Sequence, residues 1–441
     1  MRIPNLVLST IILFISNIIV RGFGFLYKIF LSNAMGETEL GVYHMIFNFL
    51  MVCIALTTTG IPTTLSCLVA KEHAMNSKKD ANIFFISTLY VSFFISLIIS
   101  LLVSFNSSYI SLVLLKSSQL KLFVLSICPA VVIITISNVL RSYFYGIKKV
   151  SIPAIGQIIE QICKMLFVFL LVMYISDQAT ICYIALLGIS IGETSSVIFM
   201  TICLYKESSL YNNFTIRLRY FYNASMETIK MAIPITCNRM SSVVLQSINS
   251  MIVPSRLYLS GMSHLESMGT YGIMSGMVMP FVYLPFTIGS ALVVNLIPSL
   301  SQEVALNKYK NVIKKIYFAL ILTIVVGVIC SLFYYFFGEE LCNIVFKNKN
   351  AGTYLKSMSL APLFLSLNQT LSSILHAIRK EVASSINTIS GMIIQFIALY
   401  YLLPLPSLNI YAYIYAVTFT SILTTLMHSL VLIRALNKMK C

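Results

Sequence analysis

A chain of 441 residues that is 58% hydrophobic and only 10% charged, with a mean hydropathy of +0.90, cannot hide its apolar surface in a soluble core. Its formal net charge of +16 would suggest a polyanionic partner in a soluble protein, but here it follows from membrane topology, because Lys and Arg collect in cytoplasmic loops. The ten cysteines are scattered without a CxxC pair, which supports neither a disulfide framework nor a zinc site.

A window of about 20 apolar residues gives twelve candidate membrane spans. They lie near 5–32, 41–70, 81–105, 120–145, 153–175, 179–204, 227–253, 268–298, 312–337, 353–378, 383–403 and 408–434. The first is too long for a signal peptide and shows no small-residue cleavage site, so it is expected to stay in the mature protein. It carries Asn17, Arg21, Gly24 and Lys28 at a spacing that puts them on one side of a helix, with Ile, Leu, Val and Phe elsewhere. An arginine at the bilayer centre is costly. It is expected to pair, to reach an interface with its long stem, or to face a watery cavity.

The fifth span, in GQIIEQICK, places Gln157, Glu160, Gln161 and Lys164 on one face. Two readings stay open there: Glu160 and Lys164 neutralise each other at i and i+4, or the face lines a cavity. Glu193, in GISIGETSS of the sixth span, has small neighbours suited to close packing and a hydrogen bond across helices. The polar run 205–225 reads as a cytoplasmic linker with room for a short amphipathic helix. Beyond it the seventh span again opens with an arginine, in NRMSSVVLQSINSMIVPSR, where Arg239, Ser242, Gln246 and Asn249 share a face.

With the N-terminus inside, the cytoplasmic segments receive Arg2, Lys71, Lys78, Lys79, Arg141, Lys148, Lys149, Lys206, Arg217, Arg219 and Lys230 in the first half. In the second they receive Lys308, Lys310, Lys314, Lys315, Arg379, Lys380, Arg434, Lys438 and Lys440. The outer side receives only Lys28, Lys116, Lys121, Arg256, Lys347, Lys349 and Lys356. An even number of spans with both termini inside satisfies this asymmetry.

The chain also repeats itself once. Gly41, Tyr43, Gly60 and Glu72 fall near Gly269, Tyr271, Gly289 and Glu303; Pro129 falls on Pro362; and YGIKK at 145–149 falls on HAIRK at 376–380. Two halves of six spans, residues 1–204 and 226–441, are therefore expected as parallel pseudo-symmetric lobes around a central cavity, joined by 205–225.

The ordered series VRGFGFLYKIFLSNAMGETELGVYHM, GIPTTLSCLVAKE, NVLRSYFYGIKKVSIPAIGQIIEQICK and ITCNRMSSVVLQSINSMIVPSRL resembles the stage V sporulation protein B family. That family lies in the multidrug/oligosaccharidyl-lipid/polysaccharide (MOP) exporter superfamily, alongside the MurJ lipid II flippases. The resemblance implies an all-α polytopic protein of the MATE and MurJ kind that moves an undecaprenyl-diphosphate-linked oligosaccharide from the inner to the outer leaflet of the bacterial cytoplasmic membrane by alternating access. It implies that Arg21 and Arg239 meet the diphosphate, which planar guanidinium forks suit. Lys28, Asn17, Gln246 and Asn249 share their faces, and Glu160, Gln157, Gln161, Lys164 and Glu193 are candidates for a cavity or coupling role. The expected partners are the bilayer and the lipid-linked substrate. No cofactor, catalytic residue, metal or nucleic acid is expected, and without a GxxxxGK[ST] loop no nucleotide.

Two alternatives remain at this stage. A cation-coupled multidrug exporter of the same superfamily would tend to use an acid in the first or seventh span, and neither has one in its interior. A membrane-embedded glycosyltransferase would need Glu37 and Glu39 of the first outer loop as metal ligands, with no sizeable extramembrane domain to support them.

Overall fold

A computed structural model describes residues 5–58, 60–75, 78–114, 120–206, 218–285, 300, 309–378 and 380–440, with side chains throughout except at 5–14, 74, 78–79, 113–114, 218–219, 234–235, 237–239 and 438–440. Apart from turns, the described residues are helical. The helices that matter below are α1 (Asn5–Thr58), α2 (Ile61–Ala74), α3 (Lys78–Phe105), α4 (Lys121–Gly146), α5 (Ser151–Val172), α6 (Gln178–Lys206) and α7 (Leu218–Leu259). They continue with α8 (His264–Gly272), α9 (Tyr309–Phe346), α10 (Lys349–Ser357), α11 (Ala361–Ala377), α12 (Glu381–Leu402) and α13 (Ile410–Lys440).

Eight helical stretches among the described residues are long and apolar enough to cross a membrane. One of them, Ile15–His73, holds the first two expected spans, because α1 runs on through a break at Gly36 (φ 75°, ψ 177°). The tenth expected span is divided between α10 and α11 by a turn at 358–360, just ahead of Pro362. The eighth runs from α8 through a π-helical turn, Ile273–Val278, into residues 286–299, which lie outside the described residues. The seventh lies in α7, made polar by Arg239, Gln246 and Asn249. The greater part of the expected linker, 207–217, lies outside the described residues as well.

The helices are apolar on the outside and small or polar within. On α9 the exposed face carries Phe318, Ile321, Val325, Ile329, Leu332 and Phe336, while Ala319, Thr323, Gly327 and Ser331 are turned inward. Lipid tails are as apolar as a leucine core, so helices in a bilayer gain from close approach and cross-helix hydrogen bonds, each worth about 0.6 kcal/mol on average. The bonds are there: Thr135 Oγ1 to Thr57 Oγ1 at 2.9 Å, Tyr143 Oη to Asn82 Oδ1 at 3.0 Å, Thr323 with Thr370 at 3.0 Å, and Tyr334 Oη to the Phe281 carbonyl at 2.9 Å.

The chain divides into two compact units, 1–27 with 45–247 and 28–44 with 248–441. The core of the first joins Leu65 and Val69 of α2, Phe85 of α3, Leu140, Tyr143 and Phe144 of α4, and Met200 of α6. In the second, Leu300, Val312 and Ile316, Leu371 to Ile378, and Leu432 and Ala435 come together. Span for span these are the second, third, fourth and sixth members of each half, so the internal repeat reappears as one packing scheme used twice.

Within the second unit, residues 28–44 are held by backbone as much as by side chains. Asn33 Nδ2 donates to the Val345 carbonyl at 3.1 Å, and Asn348 Nδ2 donates to Glu37. Gly272 lies so close that a Cβ there would overlap the Glu37 carbonyl oxygen and stand 2.7 Å from Gly41 N. Backbone cannot yield as a side-chain tip can. Gly272→Ala is therefore expected to destabilise the protein by about 1–3 kcal/mol, seen as a lowered melting temperature in detergent, whereas Gly261→Ala, where a Cβ meets nothing within 4 Å, should cost less despite its positive φ.

Candidate functional site

Helix α1 presents three distinct faces between residues 15 and 28. Ser16 and Tyr27 are buried. Ile15, Ile19, Gly22 and Leu26 make an exposed side that suits lipid. Asn17, Arg21 and Lys28, with half-buried Gly24 among them, make the third, and at 100° per residue it points away from the Ile15–Leu26 side. The polar stripe is thus exposed on the side of the helix opposite Ile15–Leu26, with exposed Ile18 between the two.

In α7, Gln246 is exposed. Asn249 is buried, and its Nδ2 donates to the Met392 carbonyl at 3.2 Å. Arg239 lies on the same helix, but its side chain falls outside the described residues. Arg21 and the stretch of α7 through 247 belong to one packing unit, although they come from different sequence repeats. That unit is tied across helices by Thr88 of α3 and Thr228 of α7 at 3.5 Å, and by Tyr90 against Phe221.

The charges of α5 and α6 meet a partner that the loop census had assigned to the cytoplasm. Arg141 of α4 uses one nitrogen, Nη2, to donate to Glu160 Oε2 at 2.7 Å and to Glu193 Oε2 at 3.0 Å. The three side chains keep only 12%, 15% and 9% of their surface. Lys164 lies within electrostatic reach of both acids, and its Nζ stands 5.2 Å from the centre of the Tyr27 ring, a cation–π distance. Gln157 and Gln161 are half-buried beside them. Two polar atoms of the cluster, Arg141 Nε and Gln161 Oε1, are buried without a partner. So Glu160 has its ion pair with Arg141 rather than with Lys164 alone. The hint in the sequence was Ser137 one turn before Arg141 in α4, a small polar residue leading to a charge.

Two acids and two bases balance, which is how a bilayer interior tolerates four ionisable groups. The cluster therefore has no spare positive charge for an anion. Glu37, offered above as a metal ligand, is instead tied to Asn348, and no group of His, Cys, Asp or Glu that could hold a metal ion occurs among the described residues. None of the eight described cysteines forms a disulfide.

A family model described as Polysaccharide biosynthesis protein matches residues 6–304. The chain belongs to that family. It is 24% identical over 433 residues to Stage V sporulation protein B of Bacillus subtilis (strain 168), covering 96% of this chain and 82% of the relative. It is 21% identical over 346 residues to Sporulation protein YkvU of the same organism, covering 77% and 75%. Among solved structures, an inward-facing multidrug resistance MATE family transporter of the MOP superfamily superposes with a TM-score of 0.72 at 14% identity, over 94% of this chain and 95% of that one. A MOP superfamily transporter from Pyrococcus furiosus superposes at 0.68 with 15% identity, over 98% and 96%. The fold is that of the MOP transporters, and this polysaccharide-biosynthesis member is a multi-pass membrane protein.

The ion-pair geometry separates the members of the cluster. Removing Arg141 leaves two buried carboxylates facing each other, so Arg141→Gln is expected to cost about 3–5 kcal/mol. Glu160→Gln leaves Glu193 on the guanidinium and should cost about 1–3 kcal/mol. Adding Lys164→Met to Glu160→Gln should not restore stability. Denaturation in detergent measures all three, and recovery in the double variant would return Lys164 as the principal partner of Glu160.

Proposed function

We propose that this protein is a flippase that carries an undecaprenyl-diphosphate-linked oligosaccharide, a wall or spore-cortex precursor or a polysaccharide unit, from the inner to the outer leaflet. On this reading it is no enzyme. It sits in the bacterial cytoplasmic membrane with both termini inside, and its lobes 1–204 and 226–441 alternate about the 205–225 linker. The family match supports the substrate class. The observation that carries the reading is the exposed polar stripe of α1, which lies opposite the Ile15–Leu26 side of its helix.

Arg21 is the phosphate-binding group of that stripe, with Lys28 and Asn17 beside it. Arg239, with Gln246 and Asn249 further along α7, completes the set. Guanidinium forks bind phosphate oxygens in pairs, and the diphosphate needs such partners to leave the aqueous interface. Glu160, Gln157, Gln161, Lys164 and Glu193 are assigned to the cavity or to coupling, with Arg141 holding the two acids. Because the sequence has no nucleotide-binding loop, the membrane potential is the natural energy source. Each charge moved through 100 mV gains about 2.3 kcal/mol. The multidrug-exporter reading has less support, since the exposed stripe of α1 carries cations and no acid.

Arg21→Ala should slow headgroup crossing by about ten- to a hundredfold, the equivalent of one charge-assisted hydrogen bond of about 1.5–3 kcal/mol. Arg21→Lys, which keeps charge and loses the fork, should fall between. The measurement is outer-leaflet accessibility of a fluorescent polyprenyl-diphosphate sugar in proteoliposomes. Undiminished crossing in Arg21→Ala would defeat the proposal, as would crossing restricted to cationic dyes.

A further inference from the structure

The second unit contains a fully buried titratable ring that the reading above does not use. His428 of α13 has no exposed surface. Its Nδ1 stands 3.2 Å from Asn387 Nδ2 of α12, and its Nε2 is buried without a partner. The seam between α11, α12 and α13 carries polar contacts beside the apolar cluster of Leu371, Ile374, Leu375 and Leu432. Asn368 Nδ2 donates to Thr424 Oγ1 at 2.8 Å, Thr425 Oγ1 donates to the Phe364 carbonyl at 3.1 Å, and Ser372 and Ser384 share a hydrogen bond of 2.8 Å.

We infer that His428 and Asn387 form a proton-binding site inside the second unit, loaded from the end of the seam where His376 is exposed. An ionisable side chain within membrane-spanning helices is kept against a cost, and histidines in such places serve proton relays. Asn387 satisfies one nitrogen, and the other has no partner among the described residues. With Asn387 Nδ2 donating to Nδ1, the neutral ring carries its hydrogen on Nε2. A proton from the aqueous phase adds to the Nδ1 lone pair, and a half-turn of the Asn387 amide then presents Oδ1 to the new N–H. One partner thus serves both charge states, and no covalent bond of the protein breaks.

The surroundings leave His428 in control of that charge. From α11, His376 lies within electrostatic reach. The buried faces of α12 (Ser384, Asn387, Gly391) and α9 (Ile316, Ala319, Thr323) are uncharged. Helix α10 meets α13 at Tyr354 and Tyr411, about 25 Å along the helix from His428 at 1.5 Å per residue. Ser372 lies one turn before His376, and Ser384 about one turn before Asn387, so the Ser372–Ser384 hydroxyl pair lies between the level of the exposed ring and that of Asn387.

Binding of the proton stands on this geometry alone, while its use in transport rests on the transporter reading. The two are tested separately. Hydrogen–deuterium exchange at the imidazole C2 position, followed by mass spectrometry on the full-length wild-type protein in lipid nanodiscs, reads the titration of each histidine without any substrate. His428 should show a sigmoidal exchange rate within a window of about pH 3 to pH 9, wide enough for a buried imidazole beside a second histidine. A flat profile overturns the site. In proteoliposomes with the fluorescent polyprenyl-diphosphate sugar, a pH difference of one unit should shift the distribution of headgroups about tenfold for one coupled proton, and H428N should lose that response. A gradient response that H428N keeps also overturns the inference. If the wild type moves no lipid-linked sugar at all, the substrate reading fails and the exchange profile still decides the proton site.

Discussion

One guanidinium shared by two carboxylates makes the first unit possible. Arg141 reaches Glu160 and Glu193 at 2.7 and 3.0 Å and so joins α4, α5 and α6. A charge at the centre of a spanning helix costs about 2.5–3.5 kcal/mol or more when lipid is its surroundings. The chain meets that constraint in two ways. In α4 to α6 the charges neutralise one another and are buried. In α1 the cations lie along an exposed stripe opposite the Ile15–Leu26 side, and the role proposed for Arg21 rests on that placement.

The rest of the architecture follows from the weakness of other forces in a bilayer. Helices are drawn together by small residues and hydroxyls, as where Gly272 meets the backbone at Glu37, and by pairs such as Thr135 with Thr57 and Thr323 with Thr370. The same four positions of each sequence repeat build the two hydrophobic cores. The units differ in their polar content. The first concentrates charge, whereas the second holds amides, hydroxyls and one buried imidazole.

Much of this was legible in the sequence, for definite reasons. Hydropathy locates helices because lipid demands about 20 apolar residues, and α3, α4, α5, α6, α9, α12 and α13 lie where that rule puts them. It cannot see a break within an apolar run, so the turn at 358–360 emerges only from the structure, whereas the break at Gly36 falls between the first two expected spans. The stripe of Asn17, Arg21 and Lys28 was visible because one helix carries all of it. The Arg141 cluster was not, because its members are up to 52 residues apart in sequence and an arginine near a span's end is indistinguishable from a loop charge. Glu160 accordingly looked like the partner of Lys164, its neighbour at i+4. His428 stood in a run of hydroxyl residues with nothing to single it out until its neighbours from α11 and α12 were known.

The central claim is that the cationic face of α1 lines a water-filled path. Single cysteines placed at each position from 15 to 28 in a cysteine-free background, labelled with a small charged thiol reagent in membranes, test it most directly. The account predicts reactivity at 17, 21, 24 and 28 and none at 15, 19, 22 and 26, a period of 3.6 residues with its maximum on the arginine. Uniform protection along the helix, or reactivity centred on the Ile15–Leu26 side, would contradict it.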